Sequence, residues 1–214
     1  LVTISNGGVL TITATGDMSI NGNFTQDGAG TVSTAGDITT TNDNINFLRA
    51  VTLTGAVALD TGAGAGTITF QNTLDGTQTL GLTAGGGNID FDGIVGGGTP
   101  LAAVTITSAA DVTADAAFSA ASLRQVAGTG TTLFSGALAT TAAAGILVDG
   151  TNFNFDSTIT STLGDLDIDA GGTVRFNGAV AMNDAANGLV TISNGGVLTI
   201  TATGDMTING AFLQ

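Results

Sequence analysis

The sequence predicts an all-β protein, a parallel β-solenoid with about 21 residues per turn and two to three short strands in each turn. Three observations lead there. Short runs such as LVTIS, VLTIT, TITF, NIDF, VTITS and TVRF alternate apolar residues with Thr, Asp, Asn or Arg, the period of a strand with one buried face. Between them lie turn signals, among them Asn6-Gly7, Asn21-Gly22, Asp75-Gly76, Asp92-Gly93, Asp149-Gly150 and Asn177-Gly178. Phe also returns at a nearly constant interval, whereas no long amphipathic helical pattern occurs.

Taken in chain order, the opening supplies strands LVTIS and VLTIT, bent at Asn6-Gly7-Gly8. From there a recurrent position can be followed through Phe47, Phe70, Phe91, Ala114, Phe134, Phe155 and Phe176, at intervals of 23, 21, 23, 20, 21 and 21 residues. A second strand falls between successive Phe motifs: Thr79 to Ala84, Val104 to Ala109, Ser122 to Ala127, Gly145 to Gly150 and Asp165 to Ala170. A weaker third segment, such as Gly93 to Val95 or Gly178 to Met182, fits the remaining space. A β-meander or β-sandwich could use the same strands. The solenoid is preferred because in-phase Phe residues would stack into an internal ladder at roughly 4.8 Å per turn.

A longer period overlies this one. Residues 1–26 recur as residues 189–214 with 23 of 26 positions identical; only Ser19/Thr207, Asn23/Ala211 and Thr25/Leu213 differ. The chain therefore reads as one elongated segment, 1–214, in which 1–188 is a super-repeat of about nine turns and 189–214 begins the next copy. The expected parent is a tandem array. Unpaired strand edges at the end of a solenoid favour joining to another copy end to end, so further copies of the same repeat are the expected partners.

Composition narrows the function. The chain has no Cys, His, Trp, Tyr, Lys or Glu, and its three basic residues are Arg49, Arg124 and Arg175, so much of the usual catalytic toolkit is missing and no enzyme is expected. Its 34 Gly, single Pro and 43% apolar content are neither disordered by charge nor collagen-like, and they can build a core of Val, Ile, Leu, Ala and ten Phe. A net charge of −14 repels nucleic acid and anionic membrane surfaces, and no apolar run approaches the roughly 18 residues of a membrane span. Neither a nucleic-acid partner nor membrane insertion is expected.

The sharpest chemical feature is GDLDIDAGG (Gly164 to Gly172), in which a strand would place Asp165, Asp167 and Asp169 on one face with Leu166 and Ile168 turned inward. Carboxylates at this spacing lie roughly 6.5 to 7 Å apart, so a calcium site would need a bend or an adjacent turn to close it. Asp90 and Asp92 form a weaker version. The plainer reading is a solvated acidic face that keeps the rod soluble. The same separation would also suit an inverting glycosidase pair in a polysaccharide-cleaving β-helix, but isolated arginines offer little to bind an anionic sugar. Gly85 to Asp90 matches the calcium-binding nonapeptide repeat only in part, and the Thr-x-Thr pairs are too irregularly spaced for one flat ice-binding face. Each arginine is expected to pair with an Asp of a neighbouring turn.

Phrases such as GTITFQNTLDG, GGGNIDFDGIVGGGTPLAAVTITSAADV, GGTVRFNGAV and LVTISNGGVLTIT resemble those of filamentous haemagglutinin-like and autotransporter-like adhesins of Gram-negative bacteria, over nearly the whole chain. The resemblance implies a right-handed parallel β-helix, secreted across a bacterial outer membrane and displayed at the cell surface as a structural rod or fibre. It also implies contact with a surface receptor or glycan that the sequence does not name. No cofactor is required in this reading, with calcium as the alternative.

Overall fold

The computed structural model describes residues 1–184 and 188–214. All strand pairs among them are parallel, and the chain winds through ten turns of a β-solenoid with three faces. The first turn shows the scheme. Val2–Ile4 opens the first face, Leu10–Ile12 the second and Met18–Ile20 the third. These strands pair with Phe24–Gln26, Val32–Thr34 and Ile38–Thr40 of the next turn.

The first face continues without a break through Ile45–Phe47, Ile68–Phe70, Ile89–Phe91, Val112–Ala114, Thr131–Phe134, Asn152–Phe155, Val174–Phe176 and Leu198–Ile200. The second and third faces are continuous too, but they merge midway. Leu101–Ser108 is a single strand of 8 residues, and Phe118–Gln125 rounds the corner between the two faces, pairing with Leu138–Thr140 through its first half and Ile146–Gly150 through its second. On the second face the isolated bridges at Val95 carry the ladder from Leu74 to Phe118.

Alternation decides what lies inside. In Ile68–Phe70 the two apolar residues are buried and Thr69 is turned outward, and the pattern repeats from turn to turn. The expected ladder is present in register: Phe47, Phe70, Phe91, Ala114, Phe134, Phe155 and Phe176 are successive partners on the first face. Ala114 would leave a gap in the row of rings. Phe118, four residues later and across the corner, fills it, with its ring edge-on to Phe91 at 5.4 Å and to Phe134 at 5.7 Å. Most other neighbours in the ladder lie flat at 5.3–5.8 Å. Phe24 extends the row from a neighbouring slot, tilted 56° to Phe47, because the in-register partner of Phe47 is the buried Gln26.

Polar groups close the corners. Side-chain oxygens of Asn23, Asn44, Asn88, Asp111 and Asn152, each just before or at the start of a first-face strand, accept backbone N–H groups of Asn44, Thr67, Asp111, Thr131 and Thr173 one turn on, at 2.7–3.2 Å. Glycine serves these corners mainly through close approach. A Cβ at Gly178 would stand 2.1 Å from the Ser157 carbonyl oxygen, so that turn tolerates no side chain. At Gly76 a φ of +125° adds a backbone requirement.

The two copies of the 26-residue phrase do not occupy equivalent places. Val2–Ile4 lies on the first face, whereas its counterpart in Val190–Asn194 pairs with Leu166–Ala170 on the third. Leu198–Ile200 and Met206–Ile208 are likewise one face back from Leu10–Ile12 and Met18–Ile20. From Val2 to Val190 the chain completes eight turns and two further faces, which sharpens the expected figure of about nine turns. Residues 185–187, near the end of the 188-residue unit, lie outside the described residues.

Candidate functional site: the acidic third face

Leu166–Ala170 buries Leu166, Ile168 and Ala170 and exposes Asp167 and Asp169, as the alternation requires. Asp165 departs from the row. It sits at the corner before the strand, where its carboxylate accepts the Leu189 backbone N–H at 2.8 Å and fixes the next turn. The three residues proposed from the sequence as a calcium triad are therefore divided between a structural corner and an open face.

The turn below adds a residue that sequence spacing alone did not single out. Asp149 is the in-register partner of Asp169, and Leu147 is that of Asp167. The signal lay in GILVDG and DLDIDA, 20 residues apart and in phase. Partial burial, and then the carboxylates of Asp149, Asp169 and Asp165, push the Asp167 pKa above its ordinary value. A smaller cluster surrounds Asp92, whose pKa is raised by burial and then by Asp90 and Asp115. Among the described residues no three acidic side chains converge on a point that could hold a metal ion.

The arginines do not sit in register with aspartates. Arg124 stands between Thr105 and Leu147, and Arg175 between Asn154 and Thr199, while the Arg49 guanidinium donates to the Leu48 carbonyl at 3.1 Å. The Thr-x-Thr pairs are spread over the faces, with Thr69 on the first, Thr52 on the second and Thr105 on the third.

A groove of about 190 Å³ runs beside Arg124 and Leu147 on the third face. The larger hollows, about 450 and 340 Å³, belong to the last turn, where Ile200, Met206, Ile208 and Phe212 line one and Ile192 and Leu213 the other. In a solenoid each turn covers the apolar upper edge of the one before, and these hollows are the shape of that edge. Along the sides the surface is an acidic, hydroxyl-rich skin.

Such an arrangement defines a class: an elongated, repeat-built β-solenoid rod. Set against family models, curated proteins and solved structures, the chain matches none of them.

Proposed function

We propose that the chain is a structural repeat segment of a giant secreted bacterial surface fibre or adhesin, a stiff rod that holds a cell to another cell, a surface or a matrix. The observation that carries this reading is the unbroken parallel pairing of the first face over all ten turns, combined with a sequence that begins its own super-repeat again at Leu189. Inter-turn hydrogen bonds run the length of the shaft, as in Phe24 N–H to Asn44 oxygen, Ile68 N–H to Asn88 oxygen and Phe153 N–H to Thr173 oxygen, each 2.9 Å. Among the described residues few loops leave the shaft, so bending or cleaving it would break several such bonds at once.

In this reading further copies stack end to end, within one covalent array, and a receptor or glycan is met by the sides or by domains elsewhere in the parent. Two measurements test it. Electron microscopy of a tandem array should show unbranched fibres that lengthen by about 42 Å per 188-residue copy at roughly 4.8 Å per turn, and antibodies raised against the chain should label the outside of intact producing bacteria. Compact particles, or label reached only after the cells are opened, would overturn the proposal.

A further inference from the structure

We infer that the 188-residue super-repeat is built to be out of phase with the solenoid, so that each copy is turned by one face relative to the copy before it and the array regains its phase after three copies. This deepens the proposed function and rests on its tandem-array reading. The arithmetic lies in the strand register. Nine turns on the first face run from Val2 to Leu198, which is 196 residues, and Leu198 is the counterpart of Leu10 rather than of Val2. The super-repeat is shorter than nine turns by the eight residues that separate one face from the next at Val2 and Leu10.

The phrase is fitted to both settings. Its inward residues are the same in each copy: Val2 and Ile4 match Val190 and Ile192, Leu10 and Ile12 match Leu198 and Ile200, and the outward Thr between each pair is kept. Its corner bonds travel with it. The Asn6 amide donates to Gly8 and the Gln26 amide to Asn6, and in the second copy Asn194 donates to Gly196 and Gln214 to Asn194.

One difference between the copies follows the face. Asn23 stands at the corner entering the first face, where its oxygen takes the Asn44 N–H. Ala211, its counterpart, enters the third face at Phe212, away from that row of Asn and Asp caps.

The consequence is functional. Eight and two-thirds turns per copy make 26 turns in three copies, about 125 Å at roughly 4.8 Å per turn. A contact patch on the third face, such as the one around Arg124 or Asp167, would reappear on the second face in one following copy and on the first in another. A fibre of this kind presents every patch on all three sides, so it engages partners in any direction and gains multivalency without a new contact.

The chain lacks Cys, so paired cysteines read the phase directly in the 214-residue chain. In-register residues on adjacent turns stand about 4.8 Å apart, within the Cα span a disulfide accepts. Asn46→Cys with Thr69→Cys, an outward pair inside the first copy, sets the reference yield on mild oxidation. Asp167→Cys with Thr191→Cys, and Arg175→Cys with Thr199→Cys, should each lose their free thiols to the same extent. Arg175→Cys with Thr191→Cys, which would close only if the phrase returned to the first face, should keep them. Closure of that last pair, or failure of the two register pairs while the reference closes, would overturn the inference. These yields do not depend on where the protein resides, so they can fail while the surface-fibre reading stands, and the reverse.

Discussion

Phe118→Ala tests the core most sharply, because this ring occupies a slot that the repeat assigns to another residue. Ala114 is in register between Phe91 and Phe134, and Phe118 reaches into the space it leaves, fully buried and edge-on to both rings. Removing it should cost about 3–5 kcal/mol, the range for a buried Phe reduced to Ala. Roughly 0.5–1.5 kcal/mol for each of two edge-to-face contacts belongs within that figure. Ala114→Phe alone forces a second ring into a filled slot and should cost about 1–3 kcal/mol. Combining the two restores one ring per turn, now in register, so the double variant should be more stable than the sum of the single effects by about 1 kcal/mol or more. Guanidinium unfolding followed by far-ultraviolet circular dichroism gives the three energies. Hydrogen exchange should place the lost protection between residues 89 and 134, since in a solenoid each turn contacts mainly its neighbours. A loss below about 1 kcal/mol for Phe118→Ala, or strict additivity in the double variant, would refute the reasoning.

Other substitutions probe the corners and the acidic face. Gly178→Ala should destabilise by about 1–3 kcal/mol through its clash with the Ser157 carbonyl, while Gly7→Ala, with open space around it, should change the melting temperature little; equal effects would remove close approach as the reason for these glycines. Gln26→Ala deprives the Gly28 and Gly30 carbonyls and the Asn6 oxygen of a buried donor, at about 1–3 kcal/mol, measured as a shift in denaturation midpoint; an unchanged midpoint would count against the corner network. Asp167 holds its proton to higher pH in the folded chain than in the unfolded one, whose ordinary value is 3.8. Its contribution to stability is therefore greatest in acid and is lost as pH rises through the folded pKa. Asp167→Asn should flatten that part of a melting-temperature profile between pH 3 and 7 and raise stability near neutrality, and profiles that superimpose on the native one would contradict the assignment.

Much of the fold was legible in the sequence because a strand repeats every two residues and a solenoid turn repeats every 20 to 24 residues on the first face, and both periods survive in one dimension. Alternation in LVTIS or TITF determined which residues face the core, and the spacing from Phe47 to Phe176 determined the register of the first face, Ala114 included. The acidic row was legible only in part: Asp167 and Asp169 were visible as a pair on one strand, but Asp149 joins them from another turn and Asp165 is drawn away by a backbone N–H of Leu189. Tertiary structure alone decided which of three faces each strand occupies. Identical words, LVTIS at residue 1 and at residue 189, lie on different faces because alternation specifies inside and outside but carries no label for direction around the axis. That choice is made by the cumulative length of the corners between strands, which the chain resolves only when each turn settles on the one below. The same stacking recruits Phe118 to the gap at Ala114, since an empty volume in the core is filled by whichever neighbouring side chain can reach it.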